Sequence, residues 1–307
     1  MGEQKITIEK DAEIFMEKKR AILCIGITFL LNALIMLPIY LMQTDDASTN
    51  PSTALMLSAF LFMWFPAIAA IITKNITKDT FKVKIRPHIR KNMKYYVQAC
   101  FLPGVLTYAG AIVFFILFPH TFDLTWSYAN YLMPTGALFA PFTLTISIVL
   151  TLGLLIAFLA PLVIINHFFA FGEEYGWRGY ILPKLQTFMS DRKAIIISGI
   201  LWGLGHTPLV YFGLIYGFEY PGFPYMGIFM ITILATVVGV WLSYLTIQTK
   251  SIVAASLAHG AFNTIREIPL FVAVLGVSPF LGPRPSGIIG MIGFIILAVI
   301  CLYKMKK

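Results

Sequence analysis

The chain has 307 residues, 58% of them hydrophobic and 15% aromatic against 12% charged, with a mean hydropathy of +0.82. That composition excludes an ordinary soluble domain and places the chain in a membrane. The net charge of +9 is explained by the loops between apolar runs and calls for no nucleic-acid partner.

Eight apolar runs approach the ~20 residues that cross ~30 Å of hydrocarbon: 21–42, 53–73, 95–118, 136–170, 193–214, 225–247, 251–268 and 286–303. A backbone in lipid must satisfy its own hydrogen bonds, and these runs lack the ~10-residue alternation of barrel strands. The expected fold is therefore all-α and polytopic, with about eight transmembrane helices. Residues 1–20 read as a cytoplasmic segment and 21–307 as a single multi-helix membrane domain. The first run follows charged sequence and has no small-residue cleavage site after it, which favours a retained helix over a signal peptide. The start MGEQKI lacks the Ser or Thr of a myristoylation signal. The fourth run is too long for a simple crossing and is expected to tilt, kink at Pro161 or project from the bilayer.

Lysines and arginines test this count, because they gather in cytoplasmic loops. Of 23, five fall in residues 1–20, eight in 74–94, four in 171–193, one at Lys250 and three at the C-terminus. Arg266 and Arg284 fall on the other side, with Asp45, Asp46, Asp123 and Glu219. The expectation is an integral membrane protein of a bacterial plasma membrane with both termini cytoplasmic. The basic stretch Lys74 to Tyr96 reads as a topology-setting loop rather than a headgroup-binding patch. Cys24, Cys100 and Cys301 have no metal-type spacing and read as small apolar residues.

Against this background, a Lys, Arg or Asp in mid-membrane costs roughly 2.5–3.5 kcal/mol on insertion scales, so polar residues in or beside spans are informative. In "HFFAFGEEYGWRGYILPKL" a helix sets Glu174 and Arg178 four apart in the favourable order for an ion pair. Glu173 points about 100° away, on the face of Trp177. One carboxylate is thus paired, and the other is left to take a proton from water. The alternative is three solvated charges at a helix end. Further on, Trp202 and His206 share a helical face, and Pro208 would loosen the helix beside His206. A lone membrane histidine can also serve merely as an interhelical hydrogen bond. In "SIVAASLAHGAFNTI", His259 and Asn263 share a face among small residues that permit close helix approach. They read either as a packing seam with two polar bonds or as paired donors for the oxygen of a tetrahedral intermediate. His167 reads as packing, and His88 and His120 as loop residues.

Taken in order, EExxxR at 173–178, aromatic-xxx-His at 202–206 and HxxxN at 259–263 resemble the CPBP or Abi family of intramembrane proteases, similar to CAAX prenyl protease type 2. The resemblance covers about residues 165–268. It implies an intramembrane endopeptidase acting on membrane-associated or lipidated protein substrates. In that reading Glu173 and His206 activate water, His259 and Asn263 form the oxyanion site, and Glu174 with Arg178 supports them. Trp202 stands where phenylalanine is usual, which keeps an aromatic wall but alters cavity shape. The favoured scheme requires no cofactor; Glu173, His206 and His259 as zinc ligands are the alternative, although HExxH is absent. Two other classes stay in view: a non-catalytic binding or immunity protein using the same cavity, and a small transporter, for which no pair of related halves is detectable.

Overall fold

The computed structural model describes residues 2–35, 61–125 and 164–305, with single positions at 128, 153, 155 and 159. The expected bend at Pro161, most of the fourth run, the start of the second and the end of the first lie outside the described residues.

The described chain is helical, apart from one isolated bridge between Phe122 and Ala273. Helix α1, Gly2–Leu34, runs unbroken through the charged N-terminal segment into the first apolar run. The expected boundary at residue 20 is therefore not a break in structure, and no proline or interior glycine before Gly26 interrupts it. Helix α2, Phe65–Ile76, begins with Pro66 in its first turn, where a missing N–H costs nothing. Helix α3, Ile89–Leu117, follows the basic loop and carries Pro103 in its interior.

Helix α4, Ile164–Gly176, continues through a π-helical turn, Trp177–Ile181, into the short helix α5, Leu182–Gln186. Helix α6, Asp191–Gly205, stops at His206 and resumes as α7, Thr207–Tyr211. This is the loosening expected from Pro208, since a proline nitrogen cannot donate to the preceding turn. Helices α8, Tyr225–Thr249, α9, Val253–Ile265, and α10, Ile292–Lys304, complete the series.

Among the described residues, three segments are long and apolar enough to cross a membrane: Ile89–Leu117, Asp191–Tyr211 and Tyr225–Thr249; α2 and α10 are apolar but shorter. Val97, Phe101, Val105, Ile112 and Ile116 form an exposed apolar stripe on α3, and Ile292, Ile296, Val299 and Ile300 do so on α10. Such stripes suit lipid rather than water. The expected seventh span is the 13-residue α9, short of the ~20 residues of a full crossing. It is instead an inner helix packed on α3, α4 and α8. The expected eighth span begins at Ile292 rather than 286, because turns occupy the residues immediately before it, after the 3-10 helix Ile268–Val272 and the bridge at Ala273.

Close approach places the elements that matter. Gly199 and Gly203 set α6 against α8: a Cβ on either would lie 2.8 Å from Thr236 Cα or 2.5 Å from Thr232 Cα. Gly172 meets Trp64 and Met63 of the α2 side, and Gly260 meets His167 of α4. These small residues let helices approach to backbone contact.

Candidate active site

Glu173 and Glu174 lie at the C-terminal end of α4 and are both buried. Arg178 sits in the π-helical turn, also buried. Its Nη1 donates to Glu174 Oε1 at 3.0 Å, so the ion pair read from i,i+4 spacing forms although the turn is widened. The guanidinium also lies over the Trp202 ring, 4.1 Å from its centroid. Burying the pair is favourable only with such additional contacts, because desolvation of two charges is costly.

Glu173 has a partner that the spacing did not reveal. Trp202 Nε1 donates to Glu173 Oε2 at 3.0 Å. The carboxylate lacks a lysine or arginine ion pair among the described residues, as expected, but it is held. Trp202 is therefore more than an aromatic wall. A tryptophan on the buried face of α6 has one N–H to place, and an unpaired acid elsewhere in the core was the available signal.

His259, at the centre of α9, bridges the two glutamates. Its Nδ1 lies 3.0 Å from Glu174 Oε1 and its Nε2 3.8 Å from Glu173 Oε2. An ionised carboxylate only accepts, so Nδ1 carries the proton toward Glu174 and Nε2 is the nitrogen presented to Glu173. His206 caps the end of α6 with Nδ1 2.8 Å from Trp202 O. A carbonyl also only accepts, so Nδ1–H donates and the Nε2 of neutral His206 is the basic nitrogen. Its ring stands 5.7 Å from Trp202 and 5.5 Å from Phe62.

A cavity of about 160 Å³ joins these groups: Glu173, Trp202, His206, His259 and Asn263 all line it, with Arg266. The rest of its wall is largely apolar and includes Phe62, Leu209, Leu234, Val238 and Phe262. Four proposed catalytic residues from three helices thus share one chamber. Glu174 and Arg178 stand behind it, and Arg178 lines a second cavity with Lys84 and Lys250. Asn32, not anticipated from sequence, donates Nδ2 to Gly205 O at 3.1 Å and ties α1 to the backbone beside His206. His167 packs against Gly260.

Residues 147–265 match the family described as type II CAAX prenyl endopeptidase, Rce1-like. The similarity to that family falls on the part of the chain that holds these motifs. All seven residues singled out from the sequence fall inside the match. The chain is also similar to CAAX prenyl protease 2 of Methanococcus maripaludis, at 31% identity over 137 residues. That alignment takes in 44% of this chain and 46% of the relative, so the chain spans less than half the length of the curated relative it matches.

For metal chemistry, no group of three His, Cys, Asp or Glu side chains among the described residues is arranged to hold an ion. Glu173 Oε2 is engaged by Trp202, and the Nδ1 atoms of His206 and His259 are engaged by oxygen.

Proposed function

We propose that this chain is an intramembrane endopeptidase that hydrolyses peptide bonds of membrane-associated or lipidated proteins. The observation that carries the reading is the shared cavity of Glu173, His206, His259 and Asn263, inside the matched segment. The similarity to a family described as a CAAX prenyl endopeptidase supports a lipidated substrate, the exposed apolar flanks of α3 and α10 support a membrane setting, and the bias of lysine and arginine supports cytoplasmic termini.

In this scheme Glu173 takes a proton from a water in the cavity, while His206 Nε2 accepts that water's second hydrogen and aims its oxygen. The oxygen attacks the peptide carbonyl. Charge on the carbonyl oxygen is met by the Asn263 amide and by Nε2 of His259, which donates when the ring is protonated. As the tetrahedral intermediate collapses, the C–N bond breaks and the proton on Glu173 passes to the leaving amine. Glu174 and Arg178 hold His259 and Trp202 in place. No step uses a metal.

The test compares new protein termini in membranes of cells that express the wild type or Glu173→Gln at equal levels. Termini present only with the wild type are the expected result. Matching profiles under conditions that require the protein would favour a binding or immunity role for the same cavity.

A further inference from the structure

The second cavity, of about 260 Å³, lies among the basic segments and takes no part in the scheme above. Three cations line it: Lys84 of the basic loop, Lys250 at the end of α8 and Arg178 of the π-helical turn. No aspartate or glutamate lines it among the described residues. The rest of its wall is mainly apolar and includes Phe81, Leu182, Ile247 and Ile252.

The backbone fixes where the two lysines stand. Ile252 N donates to Lys84 O at 3.0 Å, which pins the basic loop to the junction of α8 and α9. Gly179 lets that loop approach the π-helical turn, since a Cβ there would lie 2.6 Å from Val83 Cγ1. Lys250 caps α8 in the left-handed region, at φ 54° and ψ 36°. Glycine takes that conformation without strain. What a lysine adds there is a charged side chain beside the cavity.

These charges are uncommitted. The neighbouring Lys184 lies 2.7 Å from the carboxylates of both Glu17 and Asp79. Lys84 and Lys250, by contrast, are exposed and make no ion pair among the described residues. Arg178 donates Nη1 to Glu174, while its buried Nε and Nη2 have no hydrogen-bond partner among the described residues. The helix ends that meet here, the C-terminus of α8 and the N-terminus of α9, carry dipole ends of opposite sign and largely cancel. Glu174 offsets much of the Arg178 charge, so the two lysines set the sign of the potential, which is positive.

Phosphate is the anion that suits this arrangement, because its several oxygens accept from separate donors and lysine meets it as a point charge. We infer that this cavity binds a phosphate group, with Lys84 and Lys250 contacting it and the Arg178 charge behind them. Helix α8 is long and apolar enough to cross a membrane, so Lys250, directly after it, stands where hydrocarbon meets water. An apolar wall beside two lysines at that boundary accommodates the phosphate of a lipid headgroup as well as a free one. Arg178 also holds Glu174, so the site backs onto the group that orients His259. The inference does not depend on hydrolysis.

The test uses the full chain in neutral detergent. Inorganic phosphate is titrated by calorimetry, and retention of phosphatidic acid against phosphatidylcholine of the same acyl chains is read by native mass spectrometry. Lys84→Gln/Lys250→Gln is expected to weaken the binding of phosphate and of phosphatidic acid by about tenfold or more, the scale of charge-assisted contacts to an anion. Lys84→Arg/Lys250→Arg retains it. Both lysines are exposed, and an unchanged unfolding midpoint without ligand verifies that the variants are folded. Retention of phosphatidic acid without binding of free phosphate assigns the site to a lipid headgroup, and the reverse assigns it to a free anion; either supports the inference where the glutamines weaken it. Phosphatidylcholine held as tightly as phosphatidic acid overturns it, because the apolar wall would then be the binding surface. Anion binding that survives the glutamine substitutions, or no binding of either anion, overturns it as well.

Discussion

His259 donates its Nδ1 proton to Glu174 Oε1 across 3.0 Å, on the same oxygen that receives Arg178 Nη1 at 3.0 Å. One carboxylate oxygen thereby ties α4, the π-helical turn and α9, and it fixes which ring nitrogen of His259 faces Glu173. In Glu174→Gln the ring loses its anionic acceptor, and kcat is expected to fall about a hundredfold, the scale of a misplaced acid–base group. Arg178 also loses its anion while buried, a change that costs about 3–5 kcal/mol of stability. Turnover measured beside chemical denaturation in detergent reads both effects. Wild-type kcat in that variant would show that His259 needs no carboxylate behind it.

Trp202→Phe separates the indole N–H from the aromatic wall. The ring that stacks under Arg178 is kept, but the donor 3.0 Å from Glu173 Oε2 is lost. A hydrogen bond to a charged group is worth about 1.5–3 kcal/mol, so kcat/KM is expected to fall about tenfold or more. The unfolding midpoint should fall as well, because a buried carboxylate loses its donor and the smaller ring leaves a void. Unchanged kcat/KM would assign Trp202 to the wall alone.

The metal-free scheme predicts undiminished cleavage after exhaustive chelation. In that scheme Glu173 and His206 activate the water without an ion. Loss of activity on chelation, restored by zinc, would replace the scheme with a metal-assisted one.

What could be read from the sequence followed the periodicity of single helices. The pairing of Glu174 with Arg178, the shared face of His259 and Asn263 and the break beside Pro208 each depend on residues two to four apart. Contacts between helices were a different matter. Nothing local links Trp202 to Glu173 or Asn32 to Gly205, since those pairs depend on how α1, α4 and α6 cross. Gly199 and Gly203 carried an available signal for that crossing, small residues four apart on one helix. Arg266 was visible as a cation on the side poor in lysine and arginine, and its seven-residue spacing from His259 would have placed it on the catalytic face. Hydropathy found the right regions but overstated α9, because a buried inner helix and a lipid-spanning one are equally apolar.

Gly260 controls the approach of α9 to α4. A Cβ there would collide with the His167 ring nitrogen and lie 2.8 Å from its backbone nitrogen. Backbone cannot rotate away as a side chain does, so Gly260→Val must push the helices apart next to the His259–Glu174 bond. Overpacking of this kind costs about 1–3 kcal/mol, and kcat should fall more steeply than stability does. A serine or alanine variant should show the smaller loss. Full activity in the valine variant would mean that α4 and α9 need not stay in register for catalysis.

A polar cluster outside the cavity gives the molecule a pH-dependent contribution to stability. Lys184 Nζ lies 2.7 Å from both Glu17 Oε2 and Asp79 Oδ2, Tyr180 donates to Asp79 Oδ2 at 2.9 Å, and Phe81 N donates to Asp79 Oδ1 at 3.0 Å. The cluster joins α1, the basic loop, α5 and, through Tyr180, the turn that carries Arg178. Burial alone would raise the Asp79 pKa, but the Lys184 ammonium and the donated hydrogen bonds outweigh it and hold the carboxyl below its ordinary value. A carboxylate whose pKa is lower folded than unfolded stabilises the fold fully above the unfolded value, about 3.9, and loses that contribution as pH falls through the folded value. Asp79→Asn is therefore expected to cost about 1–3 kcal/mol near neutral pH. The gap between wild type and variant should narrow as denaturation is repeated toward pH 3. A gap that stays constant with pH would show that the cluster acts through packing and neutral hydrogen bonds rather than through the Asp79 charge.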